Sequence, residues 1–440
     1  MGDNIISMKR MKAYIKTFGC QMNVHDSEKI GGILRSEGYD LTEERDEADV
    51  VIYNTCSIRQ KAEQKFLSDL GRMKRAKQKR PGLKIVAAGC IAQQMGQDLI
   101  KRAPVVDFVV GPQNLYSISS LLKNGNGAVA TDPNPDAALM ELPAERKDDA
   151  GRAWVNIMYG CNNFCTYCIV PFTRGREVSR PTRSIVEEVR ALAGSGYHEV
   201  TLLGQNVNSY KDETDFPGLL EQLNGIQGIK RIRFVTSHPK DLSERLVDAM
   251  AGLPSICESI HLPLQSGSDR VLKLMNRKYT FDQYFEKVQM LRERVPGVTI
   301  TSDIIAGFPG ETEEDHGRTI EAIRRVGYDG LFAFAYSPRP GTKASEMDGQ
   351  LPDEIRLARL NELLKLQDSI TLNNNDNYIS RTVEVLIEGT SETDSSRLSC
   401  RTRGNKIVLI EGDPKVLRGT YQNVLIEKAN LHSLSGRIIN

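Results

Sequence analysis

The chain has 440 residues, 58 basic against 57 acidic side chains, 40% hydrophobic residues and eight cysteines, a length that predicts about three domains, each with its own core. A formal charge of +1 excludes a polymer-coating protein, so any nucleic-acid contact must come from local patches. No run approaches the roughly 18 consecutive apolar residues of a membrane span and Met1 to Lys16 lacks a secretory h-region; the expectation is a cytoplasmic protein without membrane contact, whose cysteines are metal ligands or buried thiols.

Apolar β-type runs alternate with helical patterns as far as Asn373, which predicts an α/β chain with parallel strands. Strands at Tyr14 to Phe18, Val50 to Tyr53 and Lys84 to Ala88 are followed by helices at Asp26 to Ser36, Gln60 to Lys79 and Ala92 to Arg102. A fourth strand covers Val105 to Val110. Together they predict an N-terminal open parallel-sheet domain over 11–125. Asn124-Gly125-Asn126-Gly127 and the stretch Pro133 to Asp149 have no period and read as a connection. From Trp154 the βα rhythm repeats six times, with strands at Trp154 to Met158, Val200 to Leu203, Ile232 to Thr236, Ser259 to Leu262, Ile300 to Ile305 and Leu331 to Ala335. Ser184-x-x-Glu187, Asp241-x-x-Glu244 and Thr280-x-x-Gln283 read as helix starts. Six such units predict a central partial (β/α)6 barrel over 147–375, short of the eight that close a full one. After a helix at Pro352 to Asn373, β-type runs at Arg381 to Ile387, Ile407 to Ile410 and Gln422 to Glu427 predict a C-terminal small all-β barrel over 378–440, a form often used to hold nucleic acid.

Cys161, Cys165 and Cys168 form Cys-x3-Cys-x2-Cys directly after the first barrel strand. Three thiolates this close can ligate three irons of a cubane and leave the fourth open to a substrate or cofactor. A structural zinc needs a fourth ligand, and the nearest downstream histidine, His198, lies beyond a whole helix. Cys20, Cys56 and Cys90 each end one of the first three strands. The carboxyl ends of parallel strands share one edge, where open sheets bind ligands, so three thiols 36 and 34 residues apart converge there, with glycine before two of them allowing close approach. The alternative is three packed thiols, which is the reading for Cys257 and Cys400.

The central cysteine spacing resembles the radical S-adenosylmethionine (SAM) superfamily, whose hallmark is this motif at the mouth of a six-unit barrel. The resemblance implies a 4Fe-4S cluster whose open iron chelates S-adenosyl-L-methionine. It also implies cofactor contacts from Tyr167 beside the third cysteine, and from Gln205, Asn206, Ser237, Gln265, Ser266 and Asp303 at strand ends. Two three-cysteine sets in this order resemble the methylthiotransferase family, which carries an N-terminal methylthiotransferase domain, a radical barrel and a C-terminal RNA-binding TRAM domain. Thr17-Phe18-Gly19-Cys20-Gln21-Met22-Asn23 and the run from Cys168 to Pro181 resemble its tRNA-modifying MiaB branch. This second resemblance implies two 4Fe-4S clusters, one on Cys20, Cys56 and Cys90 and one on Cys161, Cys165 and Cys168. The implied reaction converts N6-isopentenyladenosine at tRNA position 37 to its 2-methylthio derivative. The implied partners are the tRNA anticodon stem-loop and an electron-donor protein such as a flavodoxin or ferredoxin.

For RNA contact the candidates are Arg174, Arg176 and Arg180, which leave the cysteine loop, and Arg397, Arg401 and Arg403 around a tail turn. The basic run from Arg72 to Arg80 reads first as a solvated helix face. His238 and His261, near strand ends, are weaker candidates for the cofactor. Two other readings stay open: methylthiolation of a ribosomal-protein side chain, and an iron–sulfur RNA-binding protein without catalysis.

Overall fold

Short runs of β-branched and apolar residues pair in parallel into one six-stranded sheet. Its strands are β1 (Lys12–Thr17), β2 (Asp40–Leu41), β3 (Val50–Thr55), β4 (Lys84–Gly89), β5 (Phe108–Val110) and β6 (Ala128–Ala130), in the order β2-β1-β3-β4-β5-β6. The computed structural model describes residues 10–57, 60–124, 127–134, 142–146 and 150–439. Alternation splits each strand between two cores. Val51, Tyr53, Ile85, Ala87 and Val109 pack with Phe66, Leu70 and Met73 of the helix Gln60–Lys79. Val50, Ile52, Val86, Ala88, Phe108 and Val110 pack with Ile30, Ile33 and Leu34 of the helix Gln21–Ser36. A sheet covered on both faces explains why β3 is buried at every position.

The expected four strands are therefore six. β2 and β6 are two and three residues long, too short for any period to show. The first helix begins at Gln21 rather than Asp26, because Cys20 occupies the N-cap without a side-chain cap bond and gives no sequence signal. The expected Ala92 to Arg102 helix is two, Cys90–Met95 and Gln97–Arg102, broken at Gly96 with φ +48°. Part of the expected connection, Asn124 to Gly127 and Pro133 to Asp149, lies outside the described residues.

Six further parallel strands come next: Arg152–Asn156, Glu199–Leu203, Arg231–Phe234, Ser259–His261, Thr299–Ala306 and Gly330–Ala335. The first three pair together, the last three pair together, and an Ile232–Ile256 bridge joins the groups. One large core lies between these strands and their helices. Two expected caps are corrected. The helix Thr182–Gly194 starts after Pro181, which puts Ser184 inside it, since proline's fixed φ suits helix entry. The helix Glu244–Gly252 is capped by Ser243 accepting from Leu246 N, while Asp241 accepts from Asn206 Nδ2 at 2.8 Å. Thr280 and Gln283 do form the reciprocal box.

The tail is a closed barrel of Thr382–Thr390, Leu398–Thr402, Ile407–Ile410, Tyr421–Ala429 and Leu434–Ile438. It seats on residues at the starts of the barrel strands. Arg231, 0% exposed, donates to Arg401 O at 2.9 Å and Glu384 Oε1 at 2.8 Å and lies 4.7 Å from the Tyr421 ring centroid. Arg403 grips Glu258 at 2.7 Å, Thr299 Oγ1 donates to Gly404 O at 2.7 Å, Lys406 pairs with Asp329 at 3.3 Å, and Arg152 pairs with Glu388. The chain divides into two compact units. The first comprises residues 1–147 with 159–162 and 169–178; the second holds the remainder, tail included.

Candidate active site

In the first unit, Cys20 follows β1, Cys56 follows β3 and Cys90 follows β4 directly. Because β1 and β3 pair in register, as do β3 and β4, the three cysteines leave one edge of the sheet together. Two glycines make room for them. A Cβ on Gly19 (φ +120°) would stand 2.2 Å from Cys56 Cβ, and one on Gly89 (φ +90°) would stand 2.4 Å from Thr55 O. An asparagine lattice sets the spacing: Asn23 Nδ2 donates to Asn54 Oδ1 and Thr55 O, and Asn54 Nδ2 donates to Asn23 O. The Cys20 thiol donates to Asn23 Oδ1 at 3.3 Å. A hydrogen bond from the Cys56 thiol, opposed by burial and assisted by the Arg174 charge, draws Cys20 down to about 6. Burial pushes the Cys90 thiol up. Arg174, 4% exposed, donates from Nη2 to Asp26 Oδ2 at 2.7 Å and sets its charge against Cys90 and Cys20.

In the second unit the loop carrying Cys165 is pinned to the turn after Asp269–Leu274. Thr166 N donates to Met275 O, Thr166 Oγ1 to Leu274 O, and Ala344 N to Thr166 O. Arg277, buried in that turn, donates from Nη1 to Cys165 Sγ at 3.3 Å and from Nη2 to Pro263 O at 2.9 Å, with the Tyr167 hydroxyl 3.5 Å from Nη1. Sequence reading missed Arg277, which stands in an ordinary Asn-Arg-Lys run. Cys161 stands in the first unit, its N–H donating to Gly175 O at 3.2 Å.

Gln205 and Asn206 follow the second barrel strand, Ser237 the third, and Gln265 and Ser266 the fourth. Both amide atoms of Gln205, Asn206 Oδ1 and Ser237 Oγ are buried with no partner among the described residues. Unmatched polar atoms are costly and rare inside a protein, so three such residues at the ends of successive strands fit a polar ligand. Gln265 holds φ +76°, a strained value for a non-glycine residue. Ser266 Oγ lies 3.3 Å from Thr319 Oγ1. Asp303 sits beside His261, with His261 Nε2 3.4 Å from its carboxylate. His238 accepts at Nδ1 from Lys240 N at 3.2 Å.

Phe332 and Phe334 were also missed as site residues. They pair in register with Asp303 and Ile305 and are 54% and 42% exposed. Their neighbours Leu331 and Ala333 pack on the main core, so the two rings share the opposite face with Asp303.

The RNA candidates divide. Arg174 pairs with Asp26, and Arg180, 9% exposed, donates to Glu188 Oε2 and Asn156 O. Arg401 forks onto Glu388 with two bonds of 3.0 Å, and Arg403 is held by Glu258 and by Ile256 O. Arg174, Arg180, Arg401 and Arg403 thus each carry an ion pair within the protein, to Asp26, Glu188, Glu388 and Glu258, of which only Asp26 is buried, and a guanidinium fork held this way has fewer donors left for a phosphate. Arg176 is exposed, and Arg397 is half-buried between Ser435 and Asp394. Cys257 and Cys400 are buried, and burial pushes Cys400 up to about 12. Among the described residues no three His, Cys, Asp or Glu side chains are arranged around a single metal ion; a cubane instead asks one thiolate for each of three irons. No helix among the described residues is long and apolar enough to cross a membrane.

Three family descriptions match in succession: Uncharacterized protein family UPF0004 over residues 12–111, the Radical SAM superfamily over 155–323, and the TRAM domain over 376–439. A tRNA-2-methylthio-N(6)-dimethylallyladenosine synthase of Thermodesulfovibrio yellowstonii is 54% identical over 435 residues, 98% of this chain and 100% of the relative. A protein of the same name from Alkaliphilus oremlandii is 46% identical over 98% of this chain and 93% of its own length. Among solved structures, the radical S-adenosylmethionine methyltransferase TsrM from Kitasatospora setae aligns with TM-score 0.58 at 13% identity, covering 77% of each chain. At that identity the likeness concerns the fold.

Proposed function

This chain belongs to the tRNA-2-methylthio-N(6)-dimethylallyladenosine synthase family of radical SAM enzymes, and we propose that its two cysteine sets each hold a 4Fe-4S cluster serving one reaction. The enzyme is a radical SAM tRNA methylthiotransferase, and its reaction adds a methylthio group to N6-isopentenyladenosine at tRNA position 37. When bound, the cofactor pair supplies one-electron cleavage of a sulfonium and a carbon radical, which can remove hydrogen from an aromatic carbon that no acid or base could deprotonate.

The protein's part is to hold, orient and shield. The observation that carries this reading is the set of unmatched polar atoms on Gln205, Asn206 and Ser237, in the unit where Arg277 donates to the Cys165 sulfur. Gln205, Asn206, Ser237, Gln265 and Ser266 would receive the amino-acid and ribose groups of S-adenosylmethionine, with Tyr167 against the adenine. Arg277 keeps negative charge on the ligating sulfur compensated away from water. Phe332 and Phe334 offer an apolar face beside Asp303 on which the prenylated adenine would lie. Cys20, Cys56 and Cys90 would hold the second cluster. An anticodon-loop base is cheap to extrude, so we take the anticodon stem-loop as the part of the tRNA that enters, with Arg176 and Arg397 at its phosphates. A flavodoxin or ferredoxin would supply the electron.

The test gives anaerobically reconstituted enzyme prenylated tRNA, unprenylated tRNA and a ribosomal-protein peptide. Several buried prenyl carbons at about 0.8 kcal/mol each predict at least about a tenfold preference for prenylated over unprenylated tRNA. Product on the peptide alone would overturn the tRNA reading, and equal rates on both tRNAs would remove the prenyl contact.

A further inference from the structure

The helix Gln60–Lys79 buries Phe66, Leu70 and Met73 against the sheet and turns its other side to water. From Gln64 to Lys79 ten of its positions are exposed; Lys65, Arg72, Lys74, Arg75 and Lys79 make up half of them, and none is acidic. The other two cations of the run are drawn inward, Lys77 onto Asp107 and Val105 O, and Arg80 onto Ala48 O at 2.9 Å. The acids of the helix do not answer the exposed set. Glu63 stands in the first turn, and Asp69 is buried and shared between Lys16 and Arg72. Lys65, Lys74, Arg75 and Lys79 have no acidic partner among the described residues.

A solvated helix face ordinarily mixes signs, and this chain as a whole holds 58 basic against 57 acidic side chains. Here Arg75 meets like charge at Arg72, three positions before it, and at Lys79, four after it, an arrangement that weakens a helix. The helix dipole accounts for Lys79 but not for the others, since its effect fades within one turn of the end. Gly71 is a second departure. Glycine is a poor helix former, and a Cβ on Gly71 would meet nothing within 4 Å, so no contact inside the protein requires it. It leaves a notch in the middle of the basic face. Lys74 and Arg75, one turn on, lean back over that notch, because long helical side chains point towards the N-terminus.

Such a face suits a polyanion whose backbone can come close. From Lys65 to Lys79 the row runs about 21 Å along the axis. No aromatic side chain is exposed on it and Leu67 is its one exposed apolar residue, which favours phosphate and sugar over stacked bases and offers too little apolar area for a membrane.

We propose that this face of the helix Gln60–Lys79 binds the sugar–phosphate backbone of tRNA, with Gly71 at the point of closest approach and Arg72, Lys74 and Arg75 around it. The inference rests on tRNA being the substrate and is independent of what the cysteines hold. It turns a run that reads in the sequence as a solvated face into an RNA contact, on the six-stranded sheet domain.

The test measures binding of prenylated tRNA to the full-length protein over a series of potassium chloride concentrations. Arg72→Gln, Lys74→Gln and Arg75→Gln together should lower the slope of log affinity against log salt by about two, while iron content and 5′-deoxyadenosine release without tRNA stay at the parent's level. Asp69 keeps Lys16 in this variant, so its buried charge is not stranded. Gly71→Gln should raise the melting temperature, as a better helix former does, and raise the half-saturating tRNA concentration at least about threefold. A role confined to folding predicts the first change without the second. An unchanged slope in the triple variant overturns the proposal; if its product yield then falls with a flavodoxin as electron source and not with dithionite, the face belongs to an acidic protein instead. If the triple variant does not fold, Gly71→Gln decides, and tRNA binding equal to the parent's at a raised melting temperature overturns the proposal. A parent that binds no tRNA at any salt would bring down the tRNA reading itself, a result separable from an unchanged slope in a protein that binds.

Discussion

The two sets of three cysteines are assembled by opposite routes. Cys161, Cys165 and Cys168 lie within eight residues, so the chain needs only one loop to present them, and Thr166 and Arg277 supply that loop's fastenings. Cys20, Cys56 and Cys90 span 71 positions of sequence (20 through 90) and meet because three parallel strands end in register. A local motif survives almost any rearrangement around it, whereas a site gathered by topology is only as good as the sheet beneath it.

The largest expected effect separates the two sets directly. Alanine at Cys161, Cys165 and Cys168 should leave one cluster by iron analysis and abolish release of 5′-deoxyadenosine. Alanine at Cys20, Cys56 and Cys90 should also leave one cluster, retain cofactor cleavage and lose methylthio product. Full iron content in the second variant would reduce that set to packed thiols.

A smaller change should break only the topological site. Gly19→Ala forces a Cβ to within 2.2 Å of Cys56 Cβ at φ +120°, where a side chain costs about 1–3 kcal/mol before any clash is counted. Iron should fall towards half while 5′-deoxyadenosine release persists. Retention of both clusters would show that the sheet edge yields more than its geometry suggests.

Acid should loosen the two units differently. His238 is held down to about 2, chiefly by burial and then by the charges of Arg277, Lys240 and Lys287. An unfolded histidine titrates near 6.5, so below that pH the unfolded chain binds a proton that the folded barrel refuses, and stability falls as pH falls. At pH 5 the loss is about 2 kcal/mol. The single tryptophan, Trp154, lies in the first barrel strand and reports this unit by fluorescence during urea unfolding. His238→Gln should flatten the acid limb, and an unchanged limb would place the sensitivity elsewhere.

The smallest effect tests the contrast in reverse, where neighbours in sequence take different tasks. Arg397→Gln should lower the slope of log affinity for tRNA against log salt by about one. Arg403→Gln should leave that slope alone and lower the melting temperature, because it strips Glu258 of its partner. A lowered slope from Arg403→Gln would return that residue to the RNA surface.

These contrasts also explain which features could be read in advance. The barrel strands were legible because each is a short run rich in β-branched, aromatic or other apolar residues, such as Ile300 to Ile305 or Leu331 to Ala335, closed by turn residues. The Cys-x3-Cys-x2-Cys run was legible because ligand spacing is a local property. The tail strand Leu398–Thr402 was not, since Leu398, Cys400 and Thr402 point inward while Ser399 and Arg401 alternate with them, and the polar half of that period drew the eye to RNA. Arg174 shows the limit of the same signal: an arginine beside other arginines carries no sign in the sequence of the buried Asp26, 148 positions away, to which its Nη2 donates. Arg277, Phe332 and Phe334 carry no motif; a hydrogen bond to Cys165 marks the first, and register with Asp303 and Ile305 marks the other two.

The seating of the tail fixes a length. Arg152, Arg231, Glu258, Thr299 and Asp329 hold it at the starts of the barrel strands, while the polar groups proposed for the cofactor stand at their ends. The strand Thr299–Ala306 has eight residues, which at about 3.3 Å each makes a rod of about 26 Å. Tail and barrel mouth are therefore two jaws of a calliper set by strand length. An RNA held at one jaw would offer the other whichever nucleotide lies that far along its fold, a choice of position by distance that would need no reading of the bases between.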